Sequence, residues 1–449
     1  MAVNTSEGGR GPDAPLPGAR NALVLLLLIN LFNYIDRYIL ASTLSPISAE
    51  LFGKPGEPGY DPNAAAKMGL LGTGFMVAYM VLAPLFGYLG DRFNRWILIA
   101  IGLVLWSLAS AGSGLATTFG FLLLMRILVG VGEPAYAPVA PTLIADMYPV
   151  KRRGAVMAWF YAAIPVGSAL GYVLGGLLAQ WMTWHWAFFV TLPPGIILAA
   201  WCLFKKETPR GAADRSTARP FSFKDCLVLL KIPSYVINVA GMTAMTFAIG
   251  GISYWAPKYL VEYRMPPAES PEAQAALNAS VSFAFGAITA VAGLAATLLG
   301  GWAGDRLRSR FSGSYFLVSA AGMLAGFPML LGVLYAPFPL AWVFVFLAVF
   351  CLFFNTGPSN TIIANVAPPP IRATAYAFCI FVIHALGDAI SPAIIGWITD
   401  RTRTPENPKG DMTLAFLVVS FIVLVGGVLW ALGTRHLARD TAAAPSRLA

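Results

Sequence analysis

Long apolar stretches recur twelve times along the chain, separated by shorter segments that contain polar, Gly or Pro residues. Each stretch holds about 20 residues, the length that an α-helix needs to cross the hydrocarbon core of a membrane. The pattern therefore predicts an all-α membrane protein with twelve transmembrane helices. The predicted spans are Leu23–Leu44, Gly69–Tyr88, Trp96–Leu115, Phe119–Met147, Ala155–Trp181, Trp186–Phe204, Pro233–Ala256, Ser280–Ala303, Phe316–Tyr335, Ala341–Asn365, Ala373–Thr399 and Thr413–Gly433.

The first apolar stretch carries two adjacent charges, Asp36 and Arg37, near its centre. An ionised side chain at bilayer depth costs about 3 kcal/mol or more, so such residues usually face a protein interior or a water-filled cavity. Neighbouring side chains diverge by about 100° around a helix, so both cannot point into one cavity. We expect one to face a polar pathway and the other a neighbouring helix. The alternative is a neutral network that ties the first helix to the fourth.

The composition agrees with a membrane protein. Hydrophobic residues make up 57% of the chain and charged residues 11%, whereas a soluble domain carries about 25% charged residues. The net charge of +9 could indicate a nucleic-acid partner, but about 21 Lys and Arg residues lie in the tails and even-numbered loops, against about 7 in the other loops. This asymmetry predicts a multi-pass protein of the cell membrane (the inner membrane in a Gram-negative bacterium), with both termini cytoplasmic and no nucleic-acid partner.

A short motif after the second predicted span returns after the eighth. The copies are Gly87-Tyr88-Leu89-Gly90-Asp91-Arg92 and Gly301-Trp302-Ala303-Gly304-Asp305-Arg306, and their aspartates are about 214 residues apart. Internal repeats are typical of secondary transporters. We therefore divide the chain into an N-terminal tail (1–20), a first six-helix bundle (21–204), a cytoplasmic linker (205–232), a second six-helix bundle (233–435) and a C-terminal tail (436–449).

The repeated motif also predicts a gate. Its glycines permit close helix approach, and its aspartate can cap the next helix or pair with an arginine. We expect both copies to brace the cytoplasmic side when the carrier is open outward, through Gly87, Gly90, Asp91, Arg92, Arg95, Gly304, Asp305 and Arg306. The motif is typical of the major facilitator superfamily, which the chain resembles over roughly its full length. The resemblance implies two pseudo-symmetric six-helix bundles around a central cavity, working by alternating access.

Four further stretches resemble the spinster family of lipid transporters. They are Asn33–Tyr38 in the first span, Gly130–Tyr136 with Ala140–Asp146 in the fourth, Phe160–Tyr172 in the fifth and His384–Pro392 in the eleventh. Pro134 departs from the family pattern, and we expect it to kink the fourth helix beside Glu133. The resemblance implies export or exchange of a lysolipid or sphingolipid-like phosphate amphiphile, driven by protons.

Two further charges, Arg126 and Glu133, lie in the fourth span. They are seven residues apart and share one helix face, about 10 Å apart along the axis, with Gly130 between them. We expect Glu133 to act as a titratable switch whose charge depends on whether an arginine is close. The alternative is a permanent clamp with an arginine. Arg126 could instead extend to the membrane interface.

His384 and Asp388 form a second candidate proton site in the eleventh span. They are spaced i, i+4 and share one helix face, and histidine titrates near neutral pH. An interhelical hydrogen-bond pair beside Gly387 is the structural alternative. The predicted proton-coupling residues are thus Asp36, Glu133, His384 and Asp388.

The substrate site is predicted around Arg37, whose permanently charged, forked guanidinium suits a phosphate group. The phenylalanine-rich tenth span could supply an apolar wall for the chain of an amphiphile, although its rings could equally face lipid. The other residues predicted to bind substrate are Asn33, Tyr34, Arg126, Tyr136, Tyr161, Asn355, Thr356 and Asn360.

Rival functions differ in their sequence requirements. The chain has no Gly-x-x-x-x-Gly-Lys-Ser/Thr phosphate loop, so ATP hydrolysis is not expected. Ser168 and His384 could mimic a catalytic dyad, but the duplicated loops favour a transporter over an enzyme. A proton-coupled exporter of drugs or small organic anions is the alternative on the same fold.

We expect a monomer that contacts a lipid-like substrate, protons and membrane lipids. We expect no cofactor and no metal, since the cysteines lack metal-ligand spacing.

Overall fold

The computed structural model describes residues 15–148, 150–209, 227–368, 371–444 and 447. Within these ranges, twelve helices are long and apolar enough to cross a membrane. This confirms the predicted number of spans. The spans are Ala19–Ser42, Ala64–Gly90, Arg95–Ser113, Phe119–Ile144, Trp159–Trp181, Trp184–Leu203, Pro233–Arg264, Pro271–Arg308, Ser314–Tyr335, Leu340–Val366, Phe378–Arg401 and Met412–Gly433.

The eighth span differs most from its predicted bounds. It was expected over Ser280–Ala303, but the helix covers Pro271–Arg308. Its start is set by polar chemistry, because the Ser270 side chain accepts a hydrogen bond from the Ala273 backbone N–H and Pro271 occupies the first turn. An apolar window detects the part of a helix that lies in lipid, and it misses polar turns that continue the helix beyond.

Two spans are interrupted near candidate site residues. The fourth consists of Phe119–Gly132, a 3-10 turn at Glu133–Ala135 and a second helix at Ala140–Met147. Pro134 has no backbone N–H for a regular helix, and the predicted kink is confirmed. In the eleventh, the π-helical segment His384–Asp388 separates the helices on either side, and such segments are frequent at functional sites.

Spans one to six form the first half of the molecule and spans seven to twelve the second. Small residues allow close packing within and between the halves. Gly167 and Gly171 of the fifth span lie against Leu31 and Ile35 of the first. Between the halves, Gly286 of the eighth span packs against Tyr172 of the fifth, while the second span packs along the eleventh.

The halves are joined at the end of the bundle opposite the two termini, which we call the far end. The Ser45 hydroxyl donates to the Glu262 carboxylate over 2.6 Å, and the Tyr254 hydroxyl donates to the Met68 carbonyl over 2.6 Å. The Ala66 backbone N–H donates to Asp400 over 2.6 Å. Each contact joins a residue of one half to a residue of the other, so the far end is closed.

Gly87 and Gly301, one in each copy of the repeated motif, lie toward the opposite end of the bundle and face open space. A Cβ atom added to Gly87 or Gly301 would meet no heavy atom within 4 Å. Tyr161 of the fifth span is 50% exposed, although Ser168, two turns toward the far end on the same helix face, is 3% exposed. The described hydrogen bonds that join the halves lie toward the far end.

Asp400 forms a latch at the far end that crosses between the halves. Its carboxylate accepts hydrogen bonds from the Ala65 and Ala66 backbone N–H groups at the start of the second span, and Arg403 holds it at 2.5 Å. A carboxylate at a helix N-terminus is stabilised by about 0.3–2 kcal/mol. We expect Asp400→Asn to shift spin-label distance distributions at the far end toward wider separations.

Asp411 provides the matched control for this latch. Its carboxylate also caps a helix, accepting from the Leu414 N–H over 2.9 Å, but the helix belongs to its own half. Asp411→Asn should leave the far-end distances unchanged. Equal distributions for the parent and Asp400→Asn would contradict the latch.

A second carboxylate, Asp440, attaches the C-terminal helix Leu437–Ala443 to the start of the seventh span. It accepts from the Ser234 backbone N–H over 2.9 Å and pairs with Arg447 at 2.9 Å. Burial opposes the charge, but the Ser234 hydrogen bonds and the arginines outweigh it and lower the pKa of Asp440. A lowered folded-state pKa stabilises the folded form above the unfolded pKa, and this contribution is lost as the pH falls through the folded value.

Asp440→Ala should therefore lower stability by about 1 kcal/mol at neutral pH. The difference between parent and variant should shrink below about pH 4. Thermal unfolding in detergent at both pH values measures this. A difference that stays constant on acidification would show that the carboxylate charge does not hold the helix.

Candidate functional site

Asp36 and Arg37 diverge to different partners, as adjacent helical residues must. The Ser110 hydroxyl of the third span donates to the Asp36 carboxylate, which is fully buried. The Arg37 guanidinium pairs with Glu133 of the fourth span, with Nη2 to Oε2 at 2.5 Å. Asp36 thus faces the interior of the first half, and Arg37 faces the kink of the fourth helix.

Three aromatic rings surround the Arg37 guanidinium. Its central carbon lies 5.2 Å from the ring centroid of Tyr34, 4.9 Å from that of Phe75 and 5.3 Å from that of Tyr79. The Arg37 side chain is 19% exposed, whereas Glu133 is fully buried. Cation–π contacts of this kind stabilise a cation by about 0.5–2 kcal/mol. They hold a partly accessible cation beside a buried carboxylate.

The cluster around Asp36 retains unused hydrogen-bonding capacity. Arg126 is 1% exposed, and its Nε and Nη1 find no hydrogen-bond partner among the described residues. The same holds for Asp36 Oδ2 and Glu133 Oε1. Asp36 and Glu133 each keep one partner, Ser110 and Arg37, so the switch at Glu133 and the permanent clamp both stay open as predictions.

His384 and Asp388 meet in the π-helical segment of the eleventh span. His384 Nδ1 lies 2.9 Å from Asp388 Oδ1, and both side chains are partly exposed. Gly387 has non-helical dihedral angles, and a Cβ at Gly250 of the seventh span would meet the Asp388 backbone at 2.8 Å. Only a glycine at position 250 leaves room for this segment, which fixes the imidazole toward the first half.

The other predicted binding residues fall into two groups. Tyr34 is half-buried against Arg37, and Tyr161 is 50% exposed. Tyr136 is 2% exposed and donates its hydroxyl to the Leu26 carbonyl, which joins the fourth helix to the first. Asn33 is buried, and Asn355, Thr356 and Asn360 bond to carbonyls of their own span. Local bonds of this type leave less capacity for a ligand.

The predicted gate residues of the first half contact their own half and the linker. Arg95 is 2% exposed, with Nη1 at 2.5 Å from Asp146 and Nε at 2.7 Å from Glu207. Arg92 stacks on Tyr88 at 4.0 Å. Gly90 lies close to Val139. The side chain of Asp91 lies outside the described part of the structure, and Asn94 caps the helix that follows.

In the second half, Asp305 accepts a hydrogen bond from the Tyr315 hydroxyl over 2.8 Å, Gly304 packs on the same ring and Arg306 is exposed. These contacts also stay within one half. The gate at the repeated motifs stays a prediction, since the side chain of Asp91 lies outside the described residues.

The second half contains a small apolar cavity of about 30 Å³ between its seventh, eighth, ninth, tenth and twelfth spans. The tenth span lines it with Val345, Ala348, Val349 and Leu352 rather than with its phenylalanines. Phe353 and Phe354 instead pack near Gly293 and Gly300 of the eighth span. The other spans add the rings of Tyr259, Phe285 and Phe416, and the cavity has room for about one water molecule. An apolar wall for the chain of an amphiphile therefore stays a prediction.

Sequence reasoning did not find Ser110, Phe75, Tyr79 and Asp400. A serine or an aromatic ring in an apolar span is typical of ordinary packing, so these residues gave no signal of their own. No group of His, Cys, Asp and Glu side chains with the geometry of a metal site occurs in the described ranges.

A twelve-helix bundle in two halves, with charged clusters facing their interface, defines a membrane carrier. Residues 26–392 match the Major Facilitator Superfamily. Protein spinster homolog 1 of Rattus norvegicus is 38% identical over 433 residues, covering 92% of this chain and 80% of the relative. Protein spinster homolog 3 of Danio rerio is 34% identical over 439 residues, with 94% and 86% covered.

Solved structures share the fold. A bacterial homolog to human lysosomal transporter Spinster, in an inward-facing and unoccupied conformation, has a TM-score of 0.75 at 20% identity, covering 95% of this chain and 99% of its own. The D-xylose–proton symporter has a TM-score of 0.72 at 17% identity, with 91% and 96% covered. The chain belongs to the major facilitator superfamily and, within it, to the spinster family. It is a membrane transporter of small-molecule substrates.

Proposed function

We propose that this transporter moves a lysolipid or sphingolipid-like phosphate amphiphile by proton-coupled alternating access. The observation that carries the proposal is the Arg37–Glu133 pair, a partly exposed guanidinium held by three rings against a fully buried carboxylate. A phosphate headgroup that reaches Arg37 offers the bidentate geometry that guanidinium prefers. The headgroup then competes with Glu133 for the same cation.

Displacement from Arg37 leaves Glu133 as a buried, unpaired carboxylate. Such a group takes up a proton because the charge alone is costly in that position. Substrate binding and proton binding thereby become linked, since each favours the other at this site. Asp36 is the second coupling carboxylate, since it is fully buried and Arg126, which acts on it electrostatically, has unused donors.

The apolar part of the substrate needs an apolar wall, and the candidates are the apolar side chains around the small cavity of the second half, which would have to widen to admit a chain. With both termini in the cytoplasm, the Asp400 latch lies at the outer side of the membrane. The protein works as a monomer surrounded by membrane lipids, and neither a cofactor nor a metal takes part in the cycle.

Binding to a panel of ligands tests this assignment. Native mass spectrometry of the purified protein should show lysophospholipids with anionic headgroups and sphingoid phosphates bound in preference to neutral lysolipids. Common drugs and small organic anions should bind weakly. The reverse order would favour the exporter of drugs or small organic anions.

A further inference from the structure

One aromatic ring touches the charged clusters of both halves. Tyr79 of the second span lies with its ring centroid 5.3 Å from the Arg37 guanidinium carbon of the first half. The His384 ring of the second half lies 6.1 Å from the same centroid, with the two planes at 71°. Arg37 is paired with Glu133, and His384 with Asp388. The Tyr79 ring is thus a physical link between two pairs that different halves supply.

We propose that Tyr79 is a positioning residue that couples protonation of His384 to the release of Arg37 from its aromatic cage. The proposal rests on the proposed function, in which Arg37 binds the anionic headgroup. It adds the route by which a proton in one half changes a substrate contact in the other.

The physical basis is competition of two cations for one ring. The face of an aromatic ring attracts a cation within about 6 Å of its centroid. While His384 is neutral, it does not compete with Arg37 for the face of the Tyr79 ring. His384 Nδ1 faces Asp388, so a proton from water adds at Nε2 and the ring becomes an imidazolium with both nitrogens as donors. The His384 imidazolium and the Arg37 guanidinium, both positive, then lie beside the same Tyr79 ring, and the ring holds Arg37 less tightly.

The groups around His384 support the expectation that its protonation weakens the hold of the ring on Arg37. Asp388 lies on its own helix, Tyr79 on the second span, and Arg37 with Glu133 beyond Tyr79. Tyr38 of the first span acts electrostatically on Asp388. The seventh span contributes Thr246, Phe247 and Gly250 to the π-helical segment, and none of these titrates. Arg37 is therefore the cation that responds through Tyr79 when His384 gains a charge.

The test combines ring variants with removal of the titrating group. Tyr79→Phe keeps the ring, and Tyr79→Leu removes it. Each is made in the parent and with His384→Gln. Binding of a sphingoid phosphate is measured between about pH 5 and 8. In the parent, acidification should change affinity about 2- to 30-fold, the range of one cation–π contact. His384→Gln should remove that part of the change, and Tyr79→Leu should remove the same part.

Two results would support the inference together: Tyr79→Phe retains the pH response, and the double variant Tyr79→Leu/His384→Gln behaves as either single variant. Tyr88→Leu, on the same helix beside Arg92, is the matched control and should keep the response. A full response in Tyr79→Leu, or additive losses in the double variant, would overturn the inference. If binding of the sphingoid phosphate does not depend on Arg37, the proposed function is overturned instead.

Discussion

Arg37→Lys is expected to weaken binding of a phosphate amphiphile about 10- to 100-fold. Hydrogen bonds to charged groups contribute about 1.5–3 kcal/mol each, and lysine keeps the charge but loses the forked, bidentate geometry. The variant retains a cation beside Glu133, so the fully buried carboxylate keeps a partner and folding should be largely preserved. Titration calorimetry with a sphingoid phosphate measures the loss.

Arg37→Ala is a second test of this prediction, but it requires a compensating substitution. Removing one partner of a buried pair costs about 3–5 kcal/mol, so Arg37→Ala is best studied together with Glu133→Gln, which removes the uncompensated charge. Arg308→Lys is the matched control, because Arg308 is exposed and contacts a ring, Tyr315, at 5.9 Å. If the Arg37 variants bind phosphate amphiphiles as the parent does, Arg37 is a structural clamp and the substrate assignment loses its main support.

The second large effect is expected at the buried carboxylates. Asp36→Asn or Glu133→Gln should flatten the pH dependence of transport, since each replaces a fully buried acid by a group that does not titrate. Both amides are close in shape to the acids they replace, so the contacts with Ser110 and Arg37 should survive in weakened form. Uptake into proteoliposomes over a range of pH values, with and without a proton gradient, reports the change.

Glu57→Gln offers a control of the same chemistry at an exposed position and should keep the parent profile. If both Asp36→Asn and Glu133→Gln also keep it, proton coupling does not reside in the first half. The pair His384–Asp388 then becomes the coupling site, and the same assay on His384→Gln decides it.

The sequence alone predicted the number of spans and the break at Pro134, because both follow from short-range chemistry. The π-helical break at His384–Asp388 was not predicted. An apolar run of membrane length has one stable backbone conformation in lipid, a helix that satisfies its own hydrogen bonds. Pro134 interrupts its helix through its missing N–H, and the break beside Glu133 was foreseen for that reason. The duplicated loop predicted two related halves before any contact was known.

The pairing of the buried charges could be predicted only in outline. The 100° divergence of Asp36 and Arg37 follows from helix geometry. The choice of Ser110 for one and Glu133 for the other depends on how the first, third and fourth spans pack. Arg95 shows the same limit: its motif predicted a gate, and the fold gives it Asp146 and Glu207, contacts within its own half and the linker.

Only the tertiary structure placed Tyr79 between Arg37 and His384, and Asp400 at the start of the second span. The contacts Tyr79–His384 and Ala66–Asp400 join residues more than 300 positions apart across the boundary of the halves, and they depend on how the halves pack. Hydrophobic periodicity determines that twelve helices form and which of their charges are too costly to leave in lipid. Helix packing then decides which of those charges meet, since that depends on distances that no local pattern encodes.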